Sequence, residues 1–149
     1  MAKLAPAVKL VVVGLPVTQG NKTAYPFHKK DGKLGVAVRE GKSGQRHSSW
    51  REAVAAEARK LAQNEPLDEP LVVEMTFYLP RPKSAKKNVR FPNKKPDSLK
   101  LARAVEDALT KILYADDARI VTHLIKKRFA VDSPPRVEIE VRPVSPFDV

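Results

Sequence analysis

Lys94-Lys-Pro-Asp-Ser-Leu-Lys-Leu-Ala-Arg-Ala-Val-Glu-Asp-Ala-Leu-Thr-Lys-Ile-Leu-Tyr-Ala-Asp-Asp-Ala-Arg-Ile120 contains a helix with acids at its entrance, on its body and beyond its exit. Pro96 bars a helix from running in from the left, because it pushes Lys95 out of the helical region. Asp97 or Ser98 can cap the first turn by accepting from free backbone N–H groups. Leu101, Val105, Ala108, Leu109 and Ile112 share one side, the spacing of a helix packed on a core. Arg103, Glu106, Asp107 and Thr110 occupy the other. The helix is expected to stop near Leu113, with Ala115-Asp-Asp-Ala118 as a loop before a strand.

Taken singly, these acids have local explanations: Asp97 as a cap, Glu106 and Asp107 as a solvated face, Asp116–Asp117 as a turn. Taken together in a basic chain they suggest more. A hard cation such as Mg²⁺ takes a few carboxylates from protein and fills its shell with water and phosphate oxygen. Acids kept within a positive protein are expected where a cation bridges to a phosphate.

The 149 residues are enough for one domain with a real core. The formal net charge is +11 and the isoelectric point about 10.0. That balance points to a polyanion, most simply nucleic acid. An anionic membrane surface is the competitor, but the chain has no long basic amphipathic helix. No stretch approaches a membrane span, and no cleavable leader is legible, so a cytoplasmic protein is expected. There are no cysteines, which excludes disulfides, thiolate metal sites and thiol chemistry.

The other elements follow from periodicity and turn signals. Residues 1–7 and 143–149 read as loose tails. Val8–Gly14 reads as a strand, being rich in β-branched residues. Residues 25–28 and 34–38 form a short hairpin around Lys30-Asp-Gly-Lys33. Arg39–His47 is expected to be flexible. A helix capped by Ser48 or Ser49 covers Trp50 to about Gln63, with Trp50, Val54, Ala55, Ala58 and Leu61 on one stripe. Leu71–Leu79 alternates as the clearest strand. Residues 80–96 carry seven Lys and Arg and no acid, and lead straight to Asp97. Strands follow at 119–129 and 136–142, expected to pair with each other as a hairpin beside 71–79. The expected fold is a single α/β (α+β) domain, a mixed sheet with two helices on one face. His28 and His47 have no ligand-like spacing, and neither is read as a metal ligand.

Lys95-Pro-Asp97, Leu101-Ala-Arg-Ala-Val-Glu-Asp-Ala-Leu-Thr110, Leu113-Tyr-Ala-Asp-Asp-Ala-Arg-Ile120 and Lys126-Lys-Arg128 resemble the RusA-type Holliday junction resolvases. The resemblance is firm over about residues 71–142. It implies a small homodimeric endodeoxyribonuclease, of a kind often found in phage, that depends on Mg²⁺ (or Mn²⁺) and resolves four-way DNA junctions by paired nicks. By that resemblance Asp97 and Asp117 would be the catalytic metal ligands, with Asp116 beside them. Arg103 would steady the phosphate, with Asp107 and Glu106 in support. Lys22, Lys29 and Lys30, and in the second basic loop Arg81, Lys83, Lys86, Lys87, Arg90, Lys94 and Lys95, would hold DNA. The sequence departs from the family at Leu99, where a second acid is usual. Glu106 is a candidate replacement, seven residues on, within about 20° of the same face but roughly 10 Å further along the axis. The competing reading, supported by Leu99, is a junction-binding protein that does not cut.

Overall fold

The most apolar strand of the chain lies inside its main sheet. The computed structural model describes residues 6–18, 22–40 and 44–149, and for 22–27, 34–40 and 44–47 the backbone only. The elements run β1 (Val8–Val13), β2 (Lys22–His28), β3 (Leu34–Glu40), α1 (Gly44–Leu61), β4 (Leu71–Pro80), α2 (Ser98–Leu109), β5 (Ile120–Ala130) and β6 (Arg136–Pro143). The four-stranded sheet has the order β1-β6-β4-β5, and β2 and β3 form a separate antiparallel hairpin. This is a mixed sheet with two helices in a single α+β domain, as expected.

The expected hairpin of the last two strands is corrected: β4 lies between them, parallel to β5 and antiparallel to β6. The reason is chemical. In β4 the alternate residues Leu71, Val73, Met75, Phe77 and Leu79 are all buried, so it takes an interior position. β5 carries Lys126-Lys-Arg128 and is exposed over residues 121–124, which suits an edge. Leaving β4 and returning parallel to it requires a crossover, and α2 supplies it.

Register sets what faces the helices. Met75 pairs with Ile139 and Ile125, and Phe77 with Val137 and Lys127. This row packs with Trp50, Val54 and Ala58 of α1 and Leu101, Val105, Ala108 and Leu109 of α2 in one core. Trp50 is the core anchor expected of it. Gly14, at φ +148, lets its indole approach: a Cβ there would meet the ring at 3.3 Å.

Both helices differ in extent from expectation. α1 begins at Gly44, ahead of the serines, because its first turns carry no apolar stripe to reveal them; Leu61, at its end, is 42 % exposed and lies off the core. The segment thought flexible therefore falls partly in β3 and partly in α1, with 41–43 outside the described residues. α2 ends at Leu109, not Leu113. Thr110 turns extended and Lys111 takes a left-handed φ of 69°. The Glu106 carbonyl accepts from Thr110 N (3.0 Å), Thr110 Oγ1 (2.8 Å) and the hydroxyl of buried Tyr114 (2.9 Å), which closes the helix.

The C-terminal residues, expected to be loose, are tied down. Arg142 grips Asp148 with two hydrogen bonds of 2.7 Å, and Ser145 N donates to the same carboxylate. Arg142 first, and then the Ser145 amide, hold the Asp148 carboxyl well below the usual range. A depressed acid stabilises the fold above its unfolded value, and that contribution fades as pH falls through the folded one. Asp148→Asn should therefore lower the melting temperature slightly at pH 7, and the gap to wild type should begin to narrow only below about pH 4, where an unfolded Asp takes up its proton, and should still be open at about pH 3 in thermal melts.

Candidate active site

Positions on α2 divide the predicted site residues into two groups. At its entrance Asp97 is the N-cap: its Oδ1 accepts from Leu99 N (2.8 Å) and Lys100 N (3.3 Å). Lys127 of β5, on the helix-facing row, donates to the carbonyls of Lys94 and Pro96, both at 2.9 Å. This pins the start of α2 against the sheet. Leu99 is 69 % exposed, so the position of the family's second acid points into solvent. Arg103 is exposed one turn further on.

At the exit stand Glu106, Asp107, Asp116 and Asp117. Glu106 contacts His123 Nε2 of β5. Burial raises the Glu106 carboxyl against the opposing pull of His123, and the nearby charges of Asp117 and Asp107 raise it further. Asp116 caps the 3-10 turn at Asp117–Arg119 by accepting from Ala118 N at 2.8 Å. That bond, then one with Asp117, lowers its carboxyl. Tyr114 lies beneath, its phenol pushed up by burial and then by Glu106. Arg119 pairs with Asp68 at 2.5 Å.

The two groups do not meet within one chain. α2 has 12 residues, about 18 Å at roughly 1.5 Å per residue, and it stands between Asp97 and Asp117. Glu106 is nine residues from Asp97, about 13 Å along the axis, and is engaged with His123, so within one chain it stands with the exit acids and not beside Asp97. No group of three Asp, Glu or His among the described residues is placed to hold a metal ion. The carboxylates suit a hard cation chemically; their placement in a single protomer does not.

His123 is the site residue that sequence reading missed. The signal was the alternation His123, Ile125, Lys127, which sets all three on one face of β5 once its pairing with β4 is known.

The basic arm, residues 81–96, lies at the Asp97 end. Lys83, Lys86, Lys87, Arg90, Lys94 and Lys95 are exposed and point their charge outward. Arg81 is used differently: it donates to Val89 O (2.6 Å) and Lys86 O (2.7 Å) and lies over the Phe129 ring at 5.1 Å. It holds the arm in shape. Lys29 and Lys30 are exposed at the tip of the β2–β3 hairpin; Lys22 starts β2, and its side chain lies outside the described residues.

A basic arm and acids set about one crossover helix make a layout that suits contact with a polyanion. Residues 17–142 match the family model of endodeoxyribonuclease RusA, and the chain belongs to that family. It is also similar to the uncharacterized protein YqaN of Bacillus subtilis (strain 168), 28 % identical over 152 residues, covering 93 % of this chain and 97 % of YqaN. Among the described residues no helix is long and apolar enough to cross a membrane.

Proposed function

We propose that this protein is a cytoplasmic Mg²⁺-dependent endonuclease that resolves four-way DNA junctions by paired symmetric nicks, acting as a homodimer. Membership of the endodeoxyribonuclease family over residues 17–142 is the observation that carries the reading. The charge layout agrees with it. Exposed lysines of the arm and hairpin suit phosphate contacts, whose affinity falls steeply with salt as counterions are released.

The dimer answers the separation along α2. Two copies related by a two-fold axis can bring the Asp97 end of one to the Asp116–Asp117 end of the other, and the four-way junction has that same symmetry. Mg²⁺ needs few protein carboxylates, so one acid from each chain with water and phosphate oxygen would meet its needs. Mn²⁺ could serve in the same place. Arg103, exposed between the two ends, is assigned to the scissile phosphate.

A second reading is favoured by one observation: Leu99 leaves Asp97 without a neighbouring carboxylate, which suits a protein that binds junctions without cutting. Incubating the purified protein with a synthetic four-way junction, with Mg²⁺ or with EDTA, separates the two. Paired nicks with Mg²⁺ and none with EDTA are expected. Tight binding without nicks under both conditions would establish the second reading.

A further inference from the structure

A cleft of about 650 Å³ opens between the basic arm and the end of the sheet. Its floor is the cross-strand pair Leu79 and Phe129. Leu15 and Val17, following β1, make one wall, and Val89 with several prolines of the arm makes the other. The volume falls in the range of small-ligand pockets, about 300–1,000 Å³.

Three features limit what it takes. No acid lines it, and Lys86, Lys94 and Lys95 stand at its edge, so the occupant carries negative charge next to an apolar body. The Ser84 hydroxyl and the Asn93 amide line it without hydrogen-bond partners among the described residues, leaving donors and acceptors for a polar edge. The cleft is also preformed: Arg81 fixes the arm through the carbonyls of Lys86 and Val89, and Lys127 fixes its far end through those of Lys94 and Pro96. A flat apolar body with a polar edge and a phosphate is a nucleotide.

The cleft ends at Pro96, next to Asp97. A strand whose phosphates follow Lys94 and Lys95 towards Asp97 brings its bases to this opening. A stacked, paired base cannot enter, whereas a base already freed at a branch point enters at lower cost. Resting on the junction-cutting reading, we infer that this cleft is a nucleobase subsite: it receives one unpaired base of the DNA beside Asp97, against Phe129, with the adjoining phosphate on the lysine rim.

The test uses two DNAs carrying 2-aminopurine, a base that brightens when unstacked: a short single strand, and a four-way junction with the probe at the branch point or mid-arm. The full-length protein is titrated in EDTA, reading probe fluorescence and, from anisotropy, affinity. Wild type should bind the single strand and should brighten the branch-point probe several-fold but not the mid-arm probe. Ala85→Trp, which plugs the cleft, should weaken single-strand binding about tenfold and remove the brightening. Phe129→Leu keeps the apolar volume but removes the stacking face, and should weaken single-strand binding several-fold even if Ala85→Trp fails to fold. Single-strand binding unchanged in Phe129→Leu, or no single-strand binding by wild type, overturns the subsite. A cleft-dependent response to the single strand with no response to the junction supports the subsite and overturns the junction reading instead.

Discussion

Asp117→Asn should bind a four-way junction as tightly as wild type and cut it at least about 10²-fold more slowly, the usual scale for losing one group that stabilises charge in a transition state. The side chain is exposed at the start of a 3-10 turn and holds up no part of the core, so the variant should melt with wild type. Asp97→Asn should lose cutting to the same degree. Because an Asn side chain still caps α2, its stability should fall by no more than a few tenths of a kcal/mol. Asp68→Asn is the control. It removes a carboxylate from the exit end of α2, but one paired with Arg119 at 2.5 Å and outside the proposed site, and cutting should be unchanged. Gel assays of nicking, with electrophoretic shifts in EDTA, read both quantities.

The largest expected effect on stability is at Phe77. It is fully buried, it pairs with Val137 on one side and Lys127 on the other, and it lies in the layer that both helices cover. Phe77→Ala should cost about 3–5 kcal/mol, the lost transfer energy plus the cavity. Against a total of about 5–15 kcal/mol for a domain, this should bring the protein close to unfolding at 37 °C. Denaturant melts at constant slope would show it. A loss below about 1 kcal/mol would mean the sheet does not pack as described.

Local patterns were legible because one segment was enough to carry them. The alternation of Leu71–Leu79, the stripe Leu101, Val105, Ala108 and Leu109 and the Asp97 cap were all read correctly. Strand order was not legible, since pairing is a contact between distant segments. The short link between β5 and β6 suggested a hairpin, yet the apolar character of β4 and the charges of β5 settled their places. The start of α1 was missed because Gly44-Gln-Arg-His-Ser-Ser49 holds no apolar side chain to carry a helical period, and the ordered C-terminus because the Arg142–Asp148 bond has no local pattern. The family resemblance named Asp97 and Asp117, but spacing along the chain gave no sign that α2 would hold them apart. His123 became visible only with the register of β5 against β4.

The account turns on acids from two copies of the chain meeting to cut DNA. Asp97→Asn and Asp117→Asn chains, each inactive alone, should be co-expressed with different tags and purified as the mixed dimer. One of its two sites then has both acids and the other has neither, so nicking of a labelled four-way junction in Mg²⁺ should return to about half the wild-type rate per dimer, as single nicks rather than pairs. A mixed dimer as inactive as its parents would place both acids of each site on the same chain and contradict the account.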